Sequence, residues 1–401
     1  MQLLKFIATG LLLGSSCLAA ASPATWQRSQ VGAKQYPKKV APKVFIVSMF
    51  EPEAAAWWGV PEFDLLAHNI TVPGASPIFP DVHCTADYSV CQLITGEGEI
   101  NAAITVSSIA LSPFFDLTHT YFLIAGIAGI NPKVGTISSV TFARYAIQVA
   151  LQYEIDLREL PDNFTTSYFP QGTYAPDQYP TSIYGTEVFE VNAELRSLAA
   201  SFAKKANLSD SESAQEYRSQ YVYEAATQAP SVLECDVATT DVYYSGKLLS
   251  EAFDNTTEIW TNGTGKYCTT AQEDNATLQA LLRTSARNLT DFSRIIVMRT
   301  ASNFDQPHAN QTALQHLRYS DAGGFEPSVQ NLYNAGIEVV NGILNSWNTT
   351  FAAGVKPTNY IGDIFGTLGG TPDFGPGRKQ ALEDAGAITK RGLFRRGLRF
   401  L

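Results

Sequence analysis

One apolar stretch, YFLIAGIAG beginning at Tyr121, constrains the fold of this chain more than any other segment. The residues up to Ala125 have the length and apolar character of a buried strand. The small residues Gly126, Ala128 and Gly129 follow at once. Glycine permits turn conformations and close backbone approach that a side chain would exclude. We therefore predict a strand ending at Ala125 in a glycine turn that a ligand can approach. Tight packing of a strand on a helix is the alternative reason for the glycines.

Similar apolar runs alternate with helical patterns over most of the chain. Apolar runs typical of buried strands lie at 43–49, 91–95 and 293–302. Apolar residues at helical spacing predict one helix beginning at Ile100 and another over 328–347, capped by Ser328. Alternating strands and helices favour a mostly parallel or mixed sheet flanked by helices. We expect a single-domain α/β fold.

Ligands of such sheets bind at the carboxyl ends of the strands. Three candidate strand ends carry glycines or polar residues, after Thr95, after Ala125 and after Met298. We expect these three segments to line one binding site.

The first 21 residues have the composition of a secretory signal peptide. Lys5 precedes an apolar run from Phe6 to Leu13, and small residues suited to cleavage follow at 19–21. A run this short cannot span a bilayer, which takes about 20 residues. No later segment of the sequence is long enough either. We predict a secreted or cell-surface protein with no membrane span of its own.

The cysteines and glycosylation sequons favour the same location. Removal of Cys17 with the signal peptide leaves four cysteines, an even number that suits two disulfides. We favour Cys84 with Cys91 and Cys235 with Cys268, although the sequence alone leaves three pairings open. The spacing of cysteines and histidines indicates no metal site, and we expect no cofactor. Nine Asn-X-Ser/Thr sequons predict a glycoprotein: Asn69, Asn163, Asn207, Asn255, Asn262, Asn275, Asn288, Asn310 and Asn348.

The charge distribution argues against a nucleic acid partner. The formal net charge is −10, whereas phosphate binding needs a basic face. The one basic cluster runs from Arg378 to Arg399, after the Gly/Pro-rich segment GGTPDFGPG. We predict a flexible basic tail over 370–401. Its dibasic pairs are candidate sites for a processing protease, or the tail has no role.

Several motifs, in order along the chain, carry a family resemblance. LITGEGEINAA and FLIAGIAGINPKVGTISSV resemble the two glycine motifs of the nucleoside phosphorylase and nucleosidase superfamily. GTEVFEVN, CDVATTDVYYSGKLLSEAF, TTAQEDNATLQAL and MRTASNFDQP resemble, more narrowly, the purine nucleoside permease family of fungi and bacteria. The similarity runs from Lys43 to about Gly369. It implies a nucleoside-phosphorylase-like domain over 43–355 that binds purine nucleosides such as inosine, guanosine or adenosine.

The resemblance also implies roles for single residues. Glu273, in a Gln-Glu pair where the superfamily has Met-Glu, would hold the ribose hydroxyls. Asn303 would meet the purine near N7 and suits a 6-oxo purine, and Asp305 is a candidate acid. Gly126, Ala128 and Gly129 would contact the ligand through the backbone. Alternatively, Glu273 is an ordinary glutamate of a first helical turn and Asn303 caps a helix.

The first strand-to-helix turn and two further segments supply the remaining candidates. Nucleosidases of the superfamily keep a water-activating acid where this chain has Glu51 and Glu53, and Pro52 between them leaves the choice open. The segment GTEVFEVN adds Glu187 and Phe189 as substrate-binding candidates. Four aromatic side chains are candidates for stacking on the base, with burial in the core as the alternative: Trp57, Trp58, Phe169 and Phe189.

Phosphate binding is disfavoured by the glycine motif itself. Phosphorylases of the superfamily carry an arginine and a serine where this chain has Ile124 and Ile127, so charge-assisted bonds to phosphate are lost.

Three hypotheses about function follow. The first is a purine nucleoside binding protein that assists uptake together with a separate membrane carrier. The second is an extracellular purine nucleosidase, and the third is a structural glycoprotein with an inactive pocket. Homo-oligomerisation is compatible with each of them.

Overall fold

A 13-stranded mixed sheet forms the centre of the computed structural model, which describes residues 39–375. Nine α-helices pack around the sheet within these residues. The strands are β1 Val44–Ser48, β2 His68–Thr71, β3 Asp81–Cys84, β4 Val90–Ile94, β5 Tyr121–Ile130, β6 Val140–Ala143, β7 Tyr145–Gln148, β8 Tyr153–Glu154, β9 Tyr168–Phe169, β10 Val188–Glu190, β11 Val232–Glu234, β12 Asp236–Thr239, β13 Tyr267–Ala271, β14 Ile295–Phe304 and β15 Gly362–Asp363. The helices are α1 Glu51–Ala55, α2 Glu99–Leu111, α3 Ala193–Ala203, α4 Glu212–Arg218, α5 Glu224–Thr227, α6 Lys247–Trp260, α7 Asp274–Ser285, α8 Ala313–Tyr319 and α9 Phe325–Asn345. Strands β8 and β9 form a separate hairpin.

The long strand β5 lies at the middle of the sheet. It pairs in parallel with β1 on one side and with β14 on the other, and its last residues pair with β13 in the antiparallel sense. Parallel pairs also join β1 to β4 and β12 to both β7 and β13, whereas β2, β3 and β10 pair only in the antiparallel sense. The predicted α/β class with a mixed sheet flanked by helices is therefore confirmed.

Two helical layers cover the sheet because successive strand residues point to opposite faces. In β1, Phe45 and Val47 pack in one buried cluster with residues of α2 and α7. Their neighbours Val44 and Ile46 pack in a second cluster with residues of α3 and α9. This double coverage explains why β5 and the first four residues of β1 are apolar instead of alternating with polar residues.

Two boundaries differ from the sequence predictions. Strand β5 does not end at Ala125 but continues to Ile130, paired with β14 along most of that length. Helix α9 begins at Phe325, and Ser328 lies inside it with its hydroxyl donating to the carbonyl of Phe325. The predicted glycine turn after Ala125 and the Ser328 cap were therefore wrong, since backbone pairing and packing extend both elements.

The predicted disulfide pairing is confirmed by bonds joining Cys84 to Cys91 and Cys235 to Cys268. Strand β15 joins the sheet beyond the predicted domain limit at 355 by pairing with β10. The predicted signal peptide and the tail after residue 375 lie outside the described residues. Between residues 39 and 375, no helix combines the length and apolar character needed to cross a bilayer.

Candidate functional site

A cleft opens where β5, β13 and β14 end, with about 760 Å³ of empty space including its mouth. Its wall combines residues from the strand ends, the turn after β4 and the loop between β12 and α6. The lining residues are Met49, Phe50, Glu53, Glu97, Ile127, Ala128, Gly129, Thr240, Val242, Tyr243, Tyr244, Thr270, Ala271, Gln272, Glu273, Arg299, Ser302, Asn303, Phe304 and Asp305.

The turn between β4 and α2 brings the N-terminus of α2 to this cleft. Gly96 and Gly98 have φ of 81° and 88°, in the region that favours glycine. The N–H of Gly98 donates to Oε1 of Glu273 over 3.0 Å, and that of Glu99 donates to Oδ1 of Asp241 over 2.8 Å. Helix N-termini commonly bind anions. Here the protein's own carboxylates accept from these two donors.

Arg299 of β14 is the cation of a buried ion cluster beside the cleft. Its guanidinium forms a two-pronged contact with Asp274 and also donates to Oε2 of Glu273 over 3.4 Å. A third contact, 3.1 Å long, runs from Nη1 to the carbonyl of Ile127. Burial raises the pKa of Glu273, and Arg299 opposes that shift. The cluster therefore fixes Glu273, the residue just before α7, against the end of β5.

The structure separates the two candidate acids of the first turn. Glu51 is exposed, whereas Glu53 is buried and lines the cleft. The Glu53 carboxylate accepts from the N–H of Met49 and from the N–H of Ile127, both over 2.7 Å. Burial raises the pKa of Glu53 to about 8, although Arg299 and the two N–H groups act in the opposite direction. Of the two glutamates of α1, therefore, only Glu53 is directed toward the cleft.

The glycines of β5 make room for side chains of the protein itself. A Cβ atom on Gly126 would lie 2.5 Å from Nη1 of Arg299 and 2.8 Å from Oε1 of Glu53. A Cβ atom on Gly129 would lie 2.7 Å from Oγ1 of Thr270. Gly126 is buried and does not line the cleft, whereas Ala128 and Gly129 do. The sequence predicted that a ligand approaches the backbone at Gly126. In the structure, the side chains of Arg299 and Glu53 lie there instead.

Asn303 faces the cleft together with two hydroxyl groups. Its Nδ2 donates to the hydroxyl of Tyr243 over 2.9 Å. Across the cleft floor, Oγ1 of Thr270 accepts from the N–H of Gly129 over 3.0 Å, which leaves the Thr270 proton for another acceptor. Amide and hydroxyl groups of this kind can fix the orientation of a polar ligand.

Asp305 lies two residues after Asn303, just past the end of β14, and is almost completely buried. Its Oδ2 accepts from the hydroxyl of Tyr267 over 2.5 Å, and that hydroxyl lies 2.9 Å from the hydroxyl of Tyr244. Burial raises the pKa of Asp305 to about 6. This carboxyl therefore titrates closer to neutrality than an exposed aspartate.

Besides Glu51 and Gly126, five predicted contacts do not line the cleft. Glu187 is buried, and its carboxylate accepts from the backbone N–H groups of Tyr184 and Gly185, so it stabilises its own loop. The four aromatic candidates lie elsewhere because they fill the core or pack on neighbouring side chains: Trp57, Trp58, Phe169 and Phe189. The aromatic residues that do line the cleft are Phe50, Tyr243, Tyr244 and Phe304.

Sequence reasoning missed Arg299, Thr270 and the Tyr243–Tyr244 pair. Arg299 carried a detectable signal, because a charged residue within the apolar run IIVMRTA needs a buried partner. Tyr243 and Tyr244 gave no signal in the sequence, because their position beside the cleft depends on how the loop after β12 folds over the strand ends.

The site combines acidic and amide groups with a single buried guanidinium. Carboxylates can accept hydrogen bonds from sugar hydroxyls, and the amide of Asn303 can either donate or accept. Within residues 39–375, no cluster of His, Cys, Asp and Glu is arranged to hold a metal ion.

Comparison with known proteins places the chain in a family. A family model described as Purine nucleoside permease (NUP) matches residues 41–356. A purine nucleoside permease of Candida albicans is 45% identical over 340 residues, which cover 83% of each chain. A probable purine nucleoside permease of Schizosaccharomyces pombe is 40% identical over 346 residues, covering 84% of this chain and 98% of that relative.

A solved structure gives a weaker similarity. The 5'-methylthioadenosine/S-adenosylhomocysteine nucleosidase of Helicobacter pylori aligns with a TM-score of 0.45 and 13% identity, over 77% of this chain and 100% of that one. A similarity of this size gives no information about function. The family model and the two permeases, by contrast, cover most of the chain. The chain therefore belongs to the purine nucleoside permease family, as its motifs predicted.

Proposed function

We propose that this protein binds a purine nucleoside in the cleft at the ends of β5, β13 and β14 and thereby assists nucleoside uptake. The observation that carries the proposal is the buried carboxylate of Glu273, which lines the cleft and is held by Arg299 and the N–H of Gly98. Two carboxylate oxygens can accept from two neighbouring ribose hydroxyls beyond these contacts. Asn303 and the aromatic lining would then meet the base. The names of the two permease relatives support this ligand class.

Binding would take place outside the plasma membrane. Two disulfides support an oxidising compartment, and the apolar N-terminal segment supports secretion. Uptake would then require a separate membrane carrier to receive the nucleoside. A homo-oligomer is compatible with this arrangement.

Calorimetry with the purified protein tests binding directly. Inosine, guanosine and adenosine are titrated in turn, and saturable binding of at least one of them is expected. Glu273→Gln should weaken binding by about tenfold or more, because a hydrogen bond to a charged group contributes about 1.5–3 kcal/mol. Glu212→Gln is the matched control, since Glu212 is an exposed glutamate at the start of α4. No binding by the folded wild type would overturn the proposal.

A second candidate function, hydrolysis of the N-glycosidic bond, is favoured by one observation. Glu53 is buried in the cleft beside Arg299, and burial raises its pKa to about 8. An ionised carboxylate there could take a proton from an attacking water. Because only the ionised form is a base, the rate of hydrolysis would increase with pH up to about 8.

Chromatography of free base released from each nucleoside tests hydrolysis. Glu53→Gln should lower the release rate by about 100-fold or more if Glu53 is the base. Glu51→Gln is the matched control, because the side chain of Glu51 is exposed. Thermal unfolding of both variants checks that the fold is retained. Saturable binding without base release would leave the protein as a binder only.

A further inference from the structure

A chain of three hydrogen-bonding groups lies at the wall of the cleft, which Asp305 and Tyr244 both line. It begins at the carboxylate of Asp305, passes through the hydroxyl of Tyr267 and ends at the hydroxyl of Tyr244. Asp305 and Tyr267 are almost completely buried, whereas Tyr244 is partly exposed and lines the cleft, so Tyr244 is the most accessible of the three to a ligand. The adjoining N–H of Gly246 donates to the carbonyl of Asp305 over 3.0 Å and holds this loop in place.

The direction of hydrogen bonding in this chain depends on one proton. An ionised Asp305 only accepts, so Tyr267 donates to it and Tyr244 donates to Tyr267. The oxygen of Tyr244 then remains as an acceptor for the ligand. A protonated Asp305 can donate to Tyr267 instead, which reverses both hydroxyls and leaves Tyr244 with a proton to donate.

We propose that Asp305, acting through Tyr267 and Tyr244, sets whether the cleft offers the bound purine a hydrogen-bond donor or an acceptor, so that the preference among purine nucleosides changes with pH. This inference rests on the proposed nucleoside binding. Adenosine presents an amino donor at C6, whereas inosine presents an oxygen acceptor at the same place. A protonated chain therefore favours inosine, and an ionised chain favours adenosine.

The surroundings of Asp305 place this change in an accessible pH range. Burial raises the pKa of Asp305 to about 6, so the protonated form persists to a higher pH than in an exposed aspartate. The titratable groups that face it are phenols, namely Tyr267 from β13, Tyr244 from the loop before α6 and Tyr221 from the segment after α4. Burial raises the pKa of each phenol, and all three keep their protons near neutrality.

The test is the ratio of the adenosine Kd to the inosine Kd, measured by calorimetry at about pH 5 and about pH 7.5, on either side of the Asp305 pKa. The ratio cancels effects common to both ligands, such as the titration of Glu53 and Glu273. We expect the ratio of the adenosine Kd to the inosine Kd to fall by about fivefold or more as the pH increases, because one unmatched polar contact changes an affinity by about that factor.

Tyr267→Phe interrupts the chain and Asp305→Asn removes its titration, so the ratio should become independent of pH in both variants. Tyr244→Phe should also make the ratio independent of pH, because it removes the hydroxyl that would contact the ligand. Tyr333→Phe is the matched control, because the Tyr333 hydroxyl donates to a carboxylate, that of Glu62, without lining the cleft. This control should keep the pH dependence of the wild type.

The possible outcomes are distinct. A wild-type ratio that is equal at the two pH values overturns the inference and leaves nucleoside binding intact. A pH dependence that survives in every folded variant of the chain also overturns it. If neither nucleoside binds at either pH, the proposed function itself fails, and this inference fails with it.

Discussion

At the scale of single residues, the cleft depends on glycines that leave space for polar side chains from neighbouring strands. Gly126 lies where Arg299 and Glu53 meet, and Gly129 lies against Thr270. The absence of a Cβ atom lets these groups approach the backbone of β5. The buried ion cluster can then form with its hydrogen bonds satisfied, as buried charges require.

Gly126→Ala should destabilise the protein and weaken nucleoside binding. The added methyl would lie 2.5 Å from Nη1 of Arg299, so the ion cluster must shift. Overpacking of this kind costs about 1–3 kcal/mol. Denaturant unfolding measures the loss of stability, and calorimetry measures the affinity. An unchanged unfolding midpoint together with unchanged affinity would show that Arg299 moves aside at no cost.

At the scale of secondary structure elements, the N-terminus of α2 is already occupied by carboxylates of the protein itself. Its first two N–H donors already point to Glu273 and Asp241. Phosphate approaching this helix end would meet two carboxylates, and Arg299 is already paired with Asp274 and Glu273. Electrostatic repulsion therefore disfavours the binding of phosphate beside a bound nucleoside.

Added inorganic phosphate should not change the behaviour of the protein. We expect the inosine Kd and any rate of base release to agree within about twofold with and without phosphate, because Arg299, the cationic residue among those that line the cleft, is already paired with Asp274 and Glu273. Potassium chloride at matched ionic strength is the control. Base release that requires phosphate, or formation of a sugar phosphate, would contradict this expectation.

The two disulfides should differ in their importance to the site. The bond from Cys235 to Cys268 closes a loop with a sequence separation of 33, whereas that from Cys84 to Cys91 has a separation of 7. Loop-closure entropy assigns about 4 kcal/mol to the longer loop and about 2.5 kcal/mol to the shorter. Cys268 also lies in β13, which carries Thr270 to the cleft.

Replacing both cysteines of a pair by serine tests this difference. The Cys235→Ser/Cys268→Ser variant should lose more stability in denaturant unfolding and should bind nucleoside more weakly. The Cys84→Ser/Cys91→Ser variant is the matched control and should retain wild-type affinity. Equal losses of affinity in the two variants would show that the disulfide near β13 does not support the cleft.

At the scale of the whole molecule, folding decides which sequons remain accessible. Seven sequon asparagines are exposed, namely Asn69, Asn163, Asn207, Asn262, Asn288, Asn310 and Asn348. Asn275 is 2% exposed, and its amide donates to the carbonyl of Thr186 and accepts from the hydroxyl of Thr239. A glycan on Asn275 would therefore be incompatible with this packing.

Peptide mapping of protein secreted from a eukaryotic host measures the occupancy of each sequon. We expect glycans at several exposed sequons and none at Asn275. The exposed sequons of the same sample serve as the internal control. A glycan on Asn275 in correctly folded protein would contradict the packing of α7 against the segment that precedes β10.

The sequence by itself determined the α/β class and the family, and it singled out several candidate site residues. It left three disulfide pairings open, and the structure decided between them. Periodicity and motif order are local properties, so a linear pattern can report them. The sequence singled out Glu53, Glu273, Asn303 and Asp305, and the structure brings all four to one cleft.

Only the tertiary structure decided the rest, because it depends on contacts between segments that are distant along the chain. Arg299 joins Glu273 and the end of β5, and this contact explains Gly126 and the uninterrupted strand. The hydrogen-bonded chain through Tyr267 and Tyr244 exists only because β13 and the loop before α6 converge on Asp305. No local pattern encodes such convergence, since each partner is ordinary in its own segment.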